Sequence, residues 1–244
     1  MGFPGPESTP PFAQYPRPFA RPPQVRIDLI GDAFQLFSKD WKIWMVATLP
    51  VVAAGGISTI LGLVLPFVDR SSDAFSLTPL SIIYYLASII SGILSWIAVG
   101  GMTRMAVRRL DGFAIRPSEA YQLNGNFWNY LGASLMVGLM GMLGVCFFCI
   151  GALIVGGLTL LYIPLIMLDR SSAVESISRS IDLLKPQLWP AIALAFVVGL
   201  VYGLGSSVIV GTMVTLPAYA ITLGLLYREF FPLPSAEAAP VTGF

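Results

Sequence analysis

The chain contains no histidine and only two cysteines, and charged residues make up just 11% of its 244 positions. Histidine is the usual acid–base group near neutral pH and the commonest metal ligand. Two thiols alone do not complete a zinc site. The expectation is a chain with no cofactor, no metal and no enzymatic activity. A net charge of +1, gathered on no basic face, argues against a nucleic-acid partner. The local deficit says more. Four stretches, 43–68, 74–103, 120–168 and 186–227, hold no charged side chain. Proton-coupled carriers and ion pumps keep acids or bases within their spans, and these stretches supply none.

Hydrophobic residues fill those stretches and make up 56% of the chain. A hydrocarbon core about 30 Å thick is crossed by about 20 apolar helical residues. Two stretches suffice for one crossing and two for a there-and-back pair. The fold class expected is an all-α integral membrane protein with six transmembrane helices. Basic residues cluster before the first span (Arg17, Arg21, Arg26, Lys39, Lys42) and after the second (Arg104, Arg108, Arg109, Arg116). They recur after the fourth (Arg170, Arg179, Lys185) and sixth (Arg228), with only Arg70 in the alternate loops. Basic flanks stay on the cytoplasmic side, so both termini are expected there.

Eight of the first 25 residues are proline. Residues 1–25 therefore read as a mobile tail, 26–231 as the membrane domain and 232–244 as a second tail. The first tail lacks the apolar run of a signal peptide. Pro6 stands where an acylation motif needs Ser or Thr.

An internal repeat is visible. Asp32-Ala33-Phe34-Gln35-Leu36 is echoed by Glu119-Ala120-Tyr121-Gln122-Leu123, with Trp41 and Trp128 at the same offset. A weaker copy starts at Ser180 and leads to Trp189. The unit expected is a cytoplasmic amphipathic helix plus a helical hairpin, used three times. Ile27, Ile30, Phe34, Phe37 and Trp41 share one helical face by their spacing, as do Val174, Ile177, Ile181, Leu184 and Leu188. Ser172 with Glu175 is a capping-box pattern, and Pro117 suits a first turn. These helices either lie flat at the headgroups or pack beneath the bundle. Phe34, Phe37, Trp41, Trp128 and Trp189 are the candidate membrane-surface or partner contacts.

The layout resembles the membrane domain joined to some bacterial glycerophosphodiester phosphodiesterases, and its free-standing relatives. The likeness is carried by residues 27–34, by 101–119 with Arg108, Arg109, Asp111, Gly112 and Pro117, and by 164–172 running into Glu175 and Ser180. It implies an architecture and a bacterial inner-membrane location. It does not carry over the phosphodiesterase activity, because those enzymes rely on histidine and a metal-binding carboxylate set.

Within the spans, two lines of hydroxyls stand out. Ser81, Tyr84, Ser88, Ser91 and Ser95 run along the second, and Thr212, Thr215, Tyr219 and Thr222 along the sixth. Such seams are commonly interhelical glue, and packing is the favoured reading. The functional alternative is a shared lipid or substrate cavity, with Ser88, Ser91, Ser95, Thr212, Thr215, Tyr219 and Thr222 as candidates. Gly199 and Gly203 form a GxxxG expected to serve internal contacts. Cys146 and Cys149 read as buried small hydrophobes rather than a redox pair. Asp169, Arg170 and Glu175 read as an ion pair or cap. The function expected is a non-enzymatic module organising membrane lipids or partner proteins through its amphipathic helices and tails. The alternative is a carrier or flippase for a neutral lipid-like substrate.

Overall fold

The structure, a computed structural model, describes residues 23–68, 78–123, 125–146 and 150–232, without the side chains of 66–68 and 209. Most of both Pro-rich tails, and Cys149, therefore lie outside the described residues. Among the described residues every regular element is helical. The order is α1 (Leu29–Lys39), α2 (Trp41–Val68), α3 (Pro79–Leu110), α4 (Phe127–Val145), α5 (Ile150–Leu158), α6 (Tyr162–Asp169), α7 (Ala173–Leu184), α8 (Leu188–Ser206) and α9 (Ile209–Phe230), with short 3-10 turns at Pro117–Tyr121 and Lys185–Gln187. Six segments are long and apolar enough to cross a membrane: α2, α3, α4, α5 with α6, α8 and α9. The second of the three segments expected to form amphipathic helices is only a five-residue 3-10 turn, begun by Pro117.

The buried side chains concentrate toward the end of the bundle that carries the charges, called here the charged face. In α3 the continuous buried run is Ala98 and Gly100 to Val107. In α2 it is Trp44, Ala47, Thr48 and Val51. α9 is the keystone. Its Leu216, Ala220 and Ile221 join α2 and α3, while Leu223, Leu226, Tyr227 and Phe230 join the cluster built with α4, α6, α7 and α8. The sequential pairs α2–α3, α4–α5 and α8–α9 pack together, α5 also lies against α8, and α9 lies against both α2 and α3. The other end of the bundle carries few buried side chains. There α2 and α3 expose Ile57, Ile60, Leu63, Ile83 and Ile89, the apolar surface a span turns to lipid.

Span four is broken. After Leu158 the helix gives way at Thr159–Leu161 and resumes at Tyr162. Pro164 explains part of this, because it has no N–H to offer the Leu160 carbonyl. Ser180, fully buried on α7, bridges the gap from both sides. Its hydroxyl donates to the Leu158 carbonyl at 2.7 Å and accepts the Leu161 N–H at 3.2 Å. Free backbone groups at this depth have no water to turn to, so one hydroxyl does the work of two helical bonds.

α7 starts as its sequence predicts, with the Ser172 hydroxyl accepting the Glu175 N–H. Of the two placements left open by the sequence, α7 takes the packed one. It buries Ser176, Ile177, Ser180 and Leu184 against the bundle and leaves Val174 outside. α1 likewise lies on α9. Its buried positions are Leu29 and Ala33, whereas Ile27 and Trp41 of the spaced apolar stripe are about half exposed. Both short helices face the spans with a mixture of large (Leu29, Ile177, Leu184) and small (Ala33, Ser176, Ser180) buried side chains.

Among the described residues, five ion pairs tie the charged face together. Arg109 holds Asp40 through two bonds of 2.5 and 3.2 Å, Arg108 holds Glu119 at 2.9 Å, and Arg228 holds Asp111. Arg26 reaches Glu229 at 2.6 Å. The packed chain begins by Pro23, slightly before the expected domain boundary: Gln187 accepts the Val25 N–H and donates to the Pro23 carbonyl. Asp169 is the best-connected acid, accepting Arg179 at 2.9 Å and the Tyr227 hydroxyl at 2.5 Å. Asp169→Ala is expected to cost about 2 kcal/mol, since two hydrogen bonds to a charged group are lost at a partly exposed site. A thermal melt in detergent checks it, and an unchanged midpoint would contradict it.

Candidate functional site

A shallow cleft lies between α1, α8 and α9. Ile30 and Phe34 of α1 form one wall, Val198, Val201 and Tyr202 of α8 a second, and Thr215, Ala218, Tyr219 and Thr222 of α9 the third. The Tyr202 and Tyr219 rings meet with centroids 5.7 Å apart. The threonine hydroxyls are turned to their own helix: Thr215 donates to Gly211 at 3.1 Å and Thr222 to Ala218 at 2.8 Å. The lining is therefore mostly apolar. The space it encloses, about 10 Å³, holds about one water molecule and lies far below the ~300–1,000 Å³ of sites that enclose a small molecule. A recess this shallow encloses no ligand.

The structure brings four sequence candidates together here: Phe34, Thr215, Tyr219 and Thr222. Thr212 is half-buried a turn away and does not line the cleft. The seam on α3 goes elsewhere. The Ser91 hydroxyl stands 3.4 Å from where a Cβ on Gly55 of α2 would lie, and the Tyr84 ring 3.1 Å from that position at Gly62. Ser88 and Ser95 are half-buried on the same helix. None of the three serines lines the cleft. At Ser91 and Tyr84 the seam meets the close approach of α2.

Three tryptophans mark the rim of the charged face. Trp41 is the first residue of α2, and Trp128 and Trp189 are the second residues of α4 and α8. They are 48%, 77% and 77% exposed. Amphipathic rings at the ends of spans sit at the level of lipid headgroups. Phe37 behaves differently and packs inward on the cluster that contains Trp44 and Met102.

Several residues were missed by the sequence reading. Trp96 stacks on Tyr130 with centroids 4.2 Å apart, donates to the Ser134 hydroxyl at 2.8 Å, and takes the Tyr130 hydroxyl on its carbonyl at 2.9 Å. This knot joins α3 to α4 by side chains. Tyr130 and Ser134 are four apart on one helical face, a signal that could have found it. Val198, Val201 and Tyr202 carried no signal beyond apolar character. Outside the spans, burial pushes the Tyr121 hydroxyl up to about 12, where it donates to the Ala47 carbonyl at 2.7 Å.

Other expectations are corrected. Gly199 and Gly203 have open space where a side chain would go, so that GxxxG serves no internal contact. Cys146 is exposed just after α4, not buried. The ion-pair or cap reading of Asp169, Arg170 and Glu175 holds for two of the three: Asp169 pairs with Arg179 and Tyr227 and Glu175 gives its N–H to the cap, while Arg170 sits in a left-handed turn at φ 54°. No family model, no curated protein and no solved structure matches this chain.

Proposed function

We propose that the chain is a non-enzymatic integral membrane module that organises lipid, held with both termini in the cytoplasm. The observation that carries this reading is the cleft, in which Phe34 of a short helix meets the hydroxyl seam of α9 beside a rim of exposed tryptophans. An acyl chain would lie along Val201, Tyr202 and Tyr219 while its headgroup stays level with the tryptophans. The exposed apolar side chains of the far end, among them Ile57, Ile60 and Ile89, give surrounding lipid a surface to pack on. The likeness to bacterial membrane domains supports a bacterial inner membrane, and the threefold pattern of Trp41, Trp128 and Trp189 supports an anchoring role for each unit.

A carrier for a neutral lipid-like substrate is the second reading, favoured by the broken span four, since discontinuous helices form transport sites. Against it, Ser180 satisfies both ends of that break, and the cleft is too small to enclose a substrate. Spin-labelled lipid in reconstituted vesicles tests the choice. Phe34→Asp is expected to remove about one motionally restricted lipid per protein without changing lipid flip rates, because a carboxylate in an apolar cleft is disfavoured. An unchanged restricted fraction would sink the organiser reading; a flip rate that requires the protein and falls with Phe34→Asp would favour the carrier. Thr215→Leu is a poorer probe, because the Thr215 side chain presses on Gly205 and the swap disturbs the α8–α9 crossing.

A further inference from the structure

We infer that the charged face carries a phosphate-binding site centred on Arg104. Arg104 lies in α3 one turn before Arg108 and is only 8% exposed. Its Nε and Nη1 atoms are buried and have no hydrogen-bond partner. The surrounding cations are already matched: Arg108 by Glu119, Arg109 by Asp40, Arg228 by Asp111, Arg179 by Asp169 and Arg26 by Glu229. Glu119 and Arg108 are the charged neighbours of Arg104, and Glu119 is the acid that Arg108 binds at 2.9 Å. Two guanidinium charges thus face one carboxylate, leaving one positive charge in excess.

An arginine does not shed its proton in a protein, so this charge cannot be neutralised from within. A charge held away from water without an acceptor is strongly unfavourable. The missing partner is an anion from outside the chain. Arg108, one turn on, keeps 41% of its side chain exposed, so α3 carries its guanidinium groups from the buried Arg104 toward the surface. A phosphate group matches this site, since the planar guanidinium offers several donors to its oxygens. The phosphate comes from a lipid headgroup or as a free ion; the chemistry recognised is the same.

The test follows the melting of the full-length chain in neutral detergent with three probes: short-chain phosphatidylglycerol, the matching diacylglycerol without phosphate, and inorganic phosphate. Wild type is expected to show a saturable rise with phosphatidylglycerol that diacylglycerol does not reproduce. Arg104→Gln is expected to weaken that response at least tenfold, while Arg116→Gln, at an exposed position, leaves it unchanged. Without any probe, Arg104→Met is expected to melt no lower than wild type, because it removes an unpaired buried charge. Should Arg104→Met fail to fold, the Arg104→Gln comparison decides. A rise with inorganic phosphate alone upholds the site with a free anion as ligand, and a rise confined to the phospholipid upholds it with a headgroup. Equal responses to phospholipid and diacylglycerol, or undiminished affinity in Arg104→Gln, would overturn it. The site deepens the lipid-organising reading and rests on it. The two fail separately: the Arg104 variants leave acyl binding at Phe34 intact, and Phe34→Asp leaves the response to phosphate intact.

Discussion

Gly101→Val is expected to destroy the packing of the charged face, costing about 3 kcal/mol or more and lowering the melting point by about 10 °C. Gly101 lies where α3 crosses the 3-10 turn Pro117–Tyr121. A Cβ at this position would overlap the Ala120 carbonyl, Ala120 itself being fully buried. The obstruction is backbone, so no rotamer change relieves it. The turn would have to move, taking Glu119 from Arg108 and the Tyr121 hydroxyl from Ala47. Gly138→Ala in α4 is the matched control. It meets open space, and alanine favours a helix interior over glycine by up to about 1 kcal/mol. Its melting point should be unchanged or slightly raised. A thermal melt of both variants in the same detergent decides. Equal effects would mean that α3 and the turn are not pressed together as described.

Ser180→Ala is the second large effect. The hydroxyl is the partner of the Leu161 N–H and also donates to the Leu158 carbonyl at the break in span four. Alanine leaves both groups facing an apolar interior, at about 1–3 kcal/mol each, for a total of about 2–6 kcal/mol. The loss should be local as well as global. Hydrogen exchange at Leu161 and Tyr162 should quicken more than exchange in α9. Uniform exchange with an unchanged melting point would show that the break is satisfied by other means.

The spans were legible because lipid imposes a crude rule: long runs without charge, written plainly in 43–68 and 186–227. The start of α7 was legible because Ser172 and Glu175 act locally. The break in span four was not, although Pro164 hinted at it, because the residue that makes it tolerable lies 19 positions on from Leu161. The inward faces of α1 and α7 were legible in part: Ile177 and Leu184 are buried and Ile30, Phe37 and Ile181 pack on the core, but the small residues beside them were not foreseen. Hydrophobic spacing selects large side chains such as Ile27 and Val174, yet tight packing against spans selected Ala33, Ser176 and Ser180. Half of the candidate cleft was visible, as the seam Thr215, Tyr219 and Thr222 with Phe34. Its α8 wall was invisible, because Val198 and Val201 resemble any other residues of a span. Arg104 was counted with Arg108 and Arg109 as one basic cluster. Only the pairing of its neighbours singles it out.

The most direct measurement is lipid mass spectrometry on the chain extracted within its native membrane patch, alongside Phe34→Asp prepared the same way. A lipid organiser should retain one lipid class at fixed ratio, enriched over the surrounding membrane and depleted by Phe34→Asp. A patch whose lipids match the bulk membrane in both preparations, with a reproducible protein partner instead, would contradict the lipid reading and move the function to the protein-facing surfaces.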